Sequence, residues 1–342
     1  MKRTVSTLEW FGEMAKRAPL RMRFNGDSRE EWIAWRRQWR SKLQELMGRM
    51  PSPVEMEPEV IEERDTDHFR IIKILYGSDA LSLVPAYLLI PHGIDEGEAA
   101  GVLCAHGHSG YNLGKDAVAG VSVGAEARRT VERFNYDYAK RLALRGYVTM
   151  APDWRAFGER LDRSSFKSRD PCDVCQNMAS WLGYNLLTLD VMDARAALDY
   201  LASRPEVDRE RIGMIGLSYG GRLTTFTAAL DERIKVAVVS GALNLFVERI
   251  QSKGSCGSQV VPGLLEWGDI PEVLGLIAPR PLIVERGLSD RLLPDKYFVD
   301  GFSRLRSIYD AAGASERLAK DEFEGGHMFH GKASLDWLDR WL

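Results

Sequence analysis

One serine of the sequence is flanked by glycines where an apolar run gives way to a helical pattern. Residues 211 to 230 read RIGMIGLSYGGRLTTFTAAL, so Gly216, Ser218 and Gly220 form the pattern G-x-S-x-G. A strand that turns into a helix at such a serine forms a nucleophile elbow, in which the hydroxyl stands at the helix N-terminus and free amides favour negative charge. Glycines are needed because side chains would collide in so tight a turn. The pattern predicts that Ser218 is a catalytic nucleophile; the alternative is a serine that only caps the helix.

A serine nucleophile needs a base, and the base is oriented by an acid. Of the six histidines, we choose His327, which follows the last apolar run in DEFEGGHMFHG, where Gly325 and Gly326 free the loop to turn inward. His330 is the rival. The two histidines have the spacing of a metal pair, but the sequence offers no third ligand, so we expect no metal.

The predicted acid is Asp290 in LIVERGLSDRLLPD, after the strand that precedes the histidine's strand. Asp295 is a second choice, and its alternative interpretation as a helix cap is the stronger one. Asp153 in APDWRAFGER follows another strand, and we expect it to hold loops together by hydrogen bonds. The chain order Ser218, Asp290, His327 is the order of the triad in α/β-hydrolases.

An acyl-transfer site also needs donors for the oxyanion. The backbone amide of Tyr219, directly after the nucleophile, is one candidate. The loop HGHSG, residues 106 to 110, follows the apolar run GVLCA and supplies the second, for which we choose the amide of His108. A phosphate loop is the competing interpretation of this region, but GYNLGKD has the wrong glycine spacing and an aspartate where a magnesium-binding hydroxyl belongs.

The elements that must position these residues follow from the texture of the chain after residue 100. Short apolar runs alternate there with helical patterns: GVLCAHG, GYVTMAPDW, RIGMIGLS, IKVAVVSG, RPLIVERG and RLAKDEFEGG. The alternation predicts an α/β fold with a mostly parallel central sheet of about eight strands flanked by helices. Ligands and catalytic groups collect at the carboxyl ends of the strands in such sheets. Upstream, HFRIIKILYGSDALSLVPAYLLIPHG predicts an antiparallel hairpin.

The chain before the sheet is of a different kind. Residues 28 to 47 place three tryptophans at helical spacing, and Ser28 with Glu31 has the pattern of a capping box. We expect a helical extension over residues 1–60 and a catalytic domain over residues 61–342. The mixed segment 157–185 is a candidate lid or rim.

Four aromatic residues are candidates for substrate contact, as an apolar wall or a sugar-stacking platform: Trp154, Trp181, Tyr184 and Trp267. The alternative for each is core packing. Four arginines could bind an acidic group, with an ion-paired surface as the alternative: Arg155, Arg160, Arg163 and Arg169. Cys172-x-x-Cys175 lacks a second pair, which disfavours zinc or redox chemistry. We place Cys256 and Gln259 at the edge of the site.

Composition excludes several classes. Across 342 residues, 46 Lys and Arg against 49 Asp and Glu leave a net charge of −3, so no global field favours nucleic acid or a membrane surface. The chain shows no signal-peptide pattern and no apolar run of the ~20 residues that span a membrane. Four cysteines are too few for a disulfide framework. We expect a cytoplasmic protein with free thiols and a small-molecule ester substrate; homo-oligomerisation is left open.

Taken together, these segments resemble a known family. The elbow GLSYGG, the HGHSG loop, PDWRAFGER, and GLSD followed by GGH resemble α/β-hydrolases of the dienelactone hydrolase and acetyl xylan esterase-like branch. VPAYLLIP, PGLLEWGD and IAPRPLIVERG are similar to its bacterial acetyl xylan esterase-like group, and the resemblance covers nearly the whole chain. Position 218 is serine, so the part of the branch that uses a cysteine nucleophile is not matched.

The resemblance implies a serine esterase that needs no cofactor and prefers acetyl or other short acyl groups. His327 would deprotonate Ser218 for attack on the ester, Asp290 would hold the imidazole, and the amides of Tyr219 and His108 would bind the oxyanion. An amidase or peptidase and a C–C bond hydrolase remain alternatives, because the fold hosts many chemistries. A non-catalytic binding protein is disfavoured by the intact set of three residues.

Overall fold

The computed structural model describes residues 3–108, 113–121, 124–162, 166, 168–252 and 254–342. A nine-stranded sheet forms its centre, with the order β1-β2-β3-β5-β4-β6-β7-β8-β9. The strands are β1 Glu59–Asp65, β2 Phe69–Asp79, β3 Ser82–Pro91, β4 Ala99–Ala105, β5 Val148–Pro152, β6 Val207–Leu217, β7 Ile234–Ser240, β8 Leu282–Gly287 and β9 Leu318–Phe323.

The first three strands run antiparallel to their neighbours, and every other pairing is parallel. The predicted α/β fold with a mostly parallel sheet is therefore confirmed, as is the hairpin, which β2 and β3 form. The predicted count of about eight strands misses β1. Its sequence EVIEERD is exposed throughout on the sheet edge, so it carries no buried alternating pattern by which sequence could reveal it.

Helices cover both faces of the parallel strands. They are α1 Thr7–Lys16, α2 Arg29–Met47, α3 Gly114–Val118, α4 Ala125–Phe134, α5 Tyr138–Ala143, α6 Pro171–Trp181, α7 Leu186–Ser203, α8 Tyr219–Leu230, α9 Phe246–Ser252, α10 Leu264–Trp267, α11 Ile270–Gly275, α12 Asp295–Ala311 and α13 Lys332–Trp341. Because both faces are covered, β4 and β8 are buried along their whole length. No described helix is both long and apolar enough to cross a membrane.

The predicted N-terminal helix is α2, with the capping box of Ser28 and Glu31. Trp39 is fully buried, and its indole Nε1–H donates to the backbone oxygen of Glu272 over 2.9 Å. Arg40 donates to the last carbonyl of the elbow helix α8, that of Leu230, over 3.0 Å. The extension thus packs on helices α8 and α11. Since β1 begins at Glu59, residues 59 and 60 belong to the sheet, and the division at residue 60 stays a prediction.

The segment 157–185 contains a 3-10 turn at Gly158–Arg160 and the helix α6. Residues 163–165 and 167 lie outside the described residues. The lid function stays a prediction, as do the cytoplasmic location and the classes of partner.

Candidate active site

Ser218 sits between strand β6 and helix α8 in a strained backbone conformation, with φ of 63° and ψ of −118°. Such a positive φ is rare for a residue with a side chain and is characteristic of a nucleophile elbow. A side chain at Gly216 would overlap the backbone of Gly220, and one at Gly220 would overlap the carbonyl group of Ala105 in β4. The glycines therefore let α8 begin directly against two strands, β6 and β4.

His327 and Asp290 meet beyond the ends of β9 and β8. The imidazole Nδ1–H donates to Oδ2 of Asp290 over 2.7 Å, and the carboxylate's other oxygen accepts the backbone N–H of Leu292 over 2.8 Å. These bonds hold the ring in the tautomer whose Nε2 is an acceptor. Nε2 is buried and has no hydrogen-bond partner among the described residues. It is therefore available to accept a proton.

Ser218 and His327 line one pocket of about 390 Å³. Gly241, with φ of +61°, lies against the imidazole, and a Cβ there would be 2.9 Å from Cε1 of His327. The site therefore requires a residue without a side chain beside its histidine. The structure brings together the predicted nucleophile, base and acid, and their catalytic roles stay predictions.

The two predicted oxyanion donors also belong to this pocket. Tyr219 is the first residue of α8, so its amide is one of the free N–H groups of a helix N-terminus. Its hydroxyl donates to the buried carboxylate of Asp190, which anchors the side chain. His108 lines the pocket from the loop after β4. The remainder of that predicted loop, residues 109 and 110, lies outside the described residues.

The loop that carries His108 is anchored by His106, which is fully buried. The imidazole Nδ1–H of His106 donates to the backbone oxygen of Gly107 over 2.8 Å, and Nε2 accepts the backbone N–H of Trp154 over 3.1 Å. Burial lowers the pKa of His106 to about 4. The ring is therefore a neutral structural link, and a proton on Nε2 would break the bond to Trp154.

The rival residues have structural partners. Asp153 is buried and accepts the backbone N–H of Lys115 over 2.8 Å and that of Glu159 over 3.0 Å, which confirms that it holds loops together. Asp295 is the first residue of α12 and pairs with Arg286, whereas the N-cap is Pro294. His330 donates to Asp321 over 2.7 Å and stacks on Phe323.

The four aromatic candidates are not among the residues that line this pocket. Trp154 is wholly buried and Trp181 is 86% exposed, while Tyr184 and Trp267 face the guanidinium of Arg49 and the ammonium of Lys42. Core packing accounts for Trp154 and the N-terminal extension for Tyr184 and Trp267, while Trp181 is exposed outside the pocket lining.

Two of the four candidate arginines are ion-paired, whereas Arg169 is exposed and has no ion pair among the described residues. Arg155 pairs with Asp79 and Asp193 at 3.2 and 3.0 Å, and Arg160 pairs with Asp193 at 2.6 Å. Arg163 lies outside the described residues. Two other arginines line the pocket, Arg222 and Arg249. Arg222 lies four residues after Ser218, a spacing that places both on one helix face and could have revealed it.

Cys256 and Gln259 line the pocket, as expected for its edge. Cys256 takes part in what we call the thiol cluster, formed by His108, Cys172 and Cys256. Nε2 of His108 lies 3.1 Å from Sγ of Cys256 and 3.7 Å from Sγ of Cys172. A hydrogen bond from Cys172, with a further one from His108, lowers the pKa of Cys256 to about 4, while the pKa of Cys172 is raised. Sequence reasoning missed this cluster.

A family model described as "Abhydrolase family" matches residues 1–319. The chain is 30% identical over 316 residues to "Putative hydrolase YtaP" of Bacillus subtilis (strain 168), covering 89% of this chain and 98% of that protein. A structure described as a "putative acetyl xylan esterase" from Bacteroides fragilis NCTC 9343 superposes with a TM-score of 0.83 at 19% identity, covering 99% and 96% of the two chains. A glucuronoyl esterase from Solibacter usitatus gives 0.64 at 16% identity, covering 91% and 92%. At such identities the two structures establish the shared fold.

Proposed function

The chain belongs to the Abhydrolase family, and we propose that it is a serine hydrolase that cleaves carboxylic esters of short acyl groups, acetyl esters among them. The observation that carries the proposal is the pocket shared by an elbow serine and a histidine that an aspartate already holds in the acceptor tautomer. A serine that merely capped a helix would not need a strained backbone, and Ser218 makes no capping hydrogen bond.

In the first half of the reaction, Nε2 of His327 takes the proton of the Ser218 hydroxyl as its oxygen attacks the ester carbonyl carbon. The imidazolium that forms is stabilised by Asp290. It then protonates the leaving alkoxide as the carbon–oxygen bond breaks, which leaves an acyl-enzyme on Ser218.

In the second half, the same Nε2 takes a proton from water, which attacks the acyl carbon. The tetrahedral intermediate collapses, and the proton returns to the oxygen of Ser218. The negative oxygen of both intermediates is bound by the amides of Tyr219 and His108, and the dipole of α8 adds to that stabilisation.

The comparisons lend this proposal support of two kinds. The relative from Bacillus subtilis is named a putative hydrolase, and the structural neighbours are named a putative acetyl xylan esterase and a glucuronoyl esterase. The pocket volume of about 390 Å³ is near the lower limit of small-molecule sites, which suits a short acyl group.

The test is steady-state hydrolysis of p-nitrophenyl esters of increasing acyl length by the wild type and by Ser218→Ala. We expect turnover of short esters and a loss of at least ~1000-fold in kcat/KM for the variant, because no other group replaces the nucleophile. Ser240→Ala is a matched control at a buried serine one strand away. Equal activity of wild type and Ser218→Ala, with both folded by circular dichroism, would overturn the proposal.

The alternative reactions are separated by substrate class. A panel of peptides, acetylated sugars and β-diketones assayed beside the simple esters distinguishes an esterase from an amidase, a peptidase or a C–C bond hydrolase. Hydrolysis of a peptide or diketone with higher kcat/KM than any ester would move the proposal to that class.

A further inference from the structure

Three chemically reactive side chains from three separate parts of the chain meet in the thiol cluster. His108 follows β4, Cys172 is the second residue of α6, and Cys256 lies in the loop before the 3-10 turn Gly257–Gln259. Their ligand atoms all lie within 4.8 Å of one another. His108 and Cys256 line the pocket that contains Ser218, whereas Cys172 is buried behind them.

The spacing of these atoms matches the first coordination shell of a tetrahedral zinc ion. Zinc bonds of about 2.3 Å to sulfur and about 2.0 Å to nitrogen place nitrogen and sulfur ligands about 3.6 Å apart. The observed nitrogen to sulfur separations are 3.1 and 3.7 Å. The two nitrogen to sulfur separations therefore lie within about 0.5 Å of the value for a zinc site.

The backbone around the cluster keeps its two thiols together. The amide of Gly257 donates to the carboxylate of Asp173 over 2.7 Å, which links the residues that follow each cysteine. A Cβ at Gly257 would lie 2.8 Å from the backbone oxygen of Cys172, so the two segments touch closely. Little conformational entropy would thus remain to be lost when a ligand joins the thiols.

We propose that His108 Nε2, Cys172 Sγ and Cys256 Sγ form a binding site for one divalent cation of borderline softness, with Zn²⁺ as the best fit. Two thiolates and one imidazole are a ligand set that zinc accepts in catalytic sites, where a fourth position stays open to water or substrate. Binding requires both sulfurs as thiolates, so any thiol proton still present passes to solvent. Because two of the ligands line the pocket, the fourth position faces it.

A cation at this site would tie the loop after β4 and helix α6 to the segment that contains Cys256. Helix α6 belongs to the segment 157–185, the candidate lid, and the cation would hold that helix against the pocket. The inference concerns binding alone, so it holds or fails independently of the proposed ester hydrolysis.

The test is a Zn²⁺ titration of the reduced full-length chain against a chromophoric chelator, for the wild type, Cys172→Ser and Cys256→Ser. We expect one Zn²⁺ per chain and at least ~100-fold weaker binding in both variants, because each removes one of three ligands. Cys175→Ser is the matched control, since Cys175 lies one turn further along α6 and outside the cluster; it should bind as the wild type does.

A second measurement covers the case in which a variant does not fold. Co²⁺ added to the wild type should give a thiolate-to-metal charge-transfer band, which a twofold excess of Zn²⁺ removes and which Cys175→Ser retains. Wild-type binding no tighter than that of Cys172→Ser, or loss of binding in Cys175→Ser alone, would overturn the proposal. A reduced wild-type protein that takes up no Zn²⁺ or Co²⁺ would also overturn it, even if the same protein forms a Cys172–Cys256 disulfide in air, seen as a mass lower by two hydrogens.

Discussion

Ser218, Asp290 and His327 each follow the carboxyl end of a strand, as His108 of the thiol cluster does, whereas Cys172 and Cys256 come from a helix start and a loop. The first group is placed by the sheet, because parallel strands deliver whatever follows them to one edge. The second is placed by contacts between segments 64 to 148 residues apart. Two groups of reactive side chains in one pocket therefore depend on different parts of the fold.

The largest expected effect separates the two groups by chemistry. Asp290→Asn should lower kcat for ester hydrolysis by about 10⁴-fold, because the amide no longer favours the tautomer with a free Nε2 on His327. Zinc stoichiometry should be unchanged, since the thiol cluster does not include this residue. Asp295→Asn is the control, and hydrolysis should stay within a few-fold of wild type. Comparable losses in both variants would mean that Asp290 is not the orienting acid.

An intermediate effect probes the contact on which the thiol cluster rests. Gly257→Ala places a Cβ 2.6 Å from Cβ of Gln176 and 2.8 Å from the backbone oxygen of Cys172. Helix α6 and the segment that contains Gly257 must therefore separate. We expect the free energy of unfolding to fall by about 1–3 kcal/mol, the usual cost of overpacking. The Kd for Zn²⁺ should rise as the thiols move apart.

Chemical denaturation and zinc titration measure both changes. Gly12→Ala, in an exposed helix with open space around its Cα, is the control and should not destabilise the protein. A Gly257→Ala protein as stable as wild type, with the same zinc affinity, would show that the two segments are not held as described.

The smallest expected effect concerns the loop after β4, which carries His108, a member of the thiol cluster and a predicted oxyanion donor. The pKa of His106 lies at about 4 in the folded chain because burial disfavours its charge, and near 6.5 in the unfolded chain. Between these values only the unfolded chain binds the proton, so stability present above pH 6.5 is lost as the pH falls toward 4. His106→Asn should remove up to ~1.4 kcal/mol per pH unit from that slope.

Urea unfolding of wild type and variant at several pH values between 4 and 7 gives the two slopes. Parallel slopes would mean that the folded chain binds a proton at His106 as readily as the unfolded chain does, and that the loop is not held by a neutral ring.

The group of Ser218, Asp290 and His327 could be predicted from sequence because each member lies a few residues after an apolar run. The parallel topology then brings the carboxyl ends of these strands to one edge of the sheet. The rule predicts Asp290, and together with Gly325 and Gly326 it predicts His327; the structure joins the two side chains at 2.7 Å. The thiol cluster escaped the same reasoning. The spacing Cys172-x-x-Cys175 disfavours zinc chemistry when it is considered alone, but the partner of Cys172 is Cys256, and no local spacing encodes a contact across 84 residues.

The four aromatic candidates do not line the pocket, and the reason is a different one. Trp154 lies just after strand β5, and Trp267 is the last residue of α10. Trp154 is nevertheless buried in the core, and Trp267 faces Lys42 of the N-terminal helix. Their side chains are large and apolar, so burial against whichever surface is available outweighs position along the sequence. Strand β1 was missed because its exposed residues carry no period of burial.

The N-terminal helix α2 has a consequence for the order in which the chain is made. Trp39 reaches its hydrogen-bond partner Glu272 across 233 residues. At a synthesis rate of ~5–20 residues per second, that partner follows roughly 12–47 seconds later. During this interval Trp39 has not yet met the surface that buries it, so part of the apolar face of α2 stays uncovered on the nascent chain.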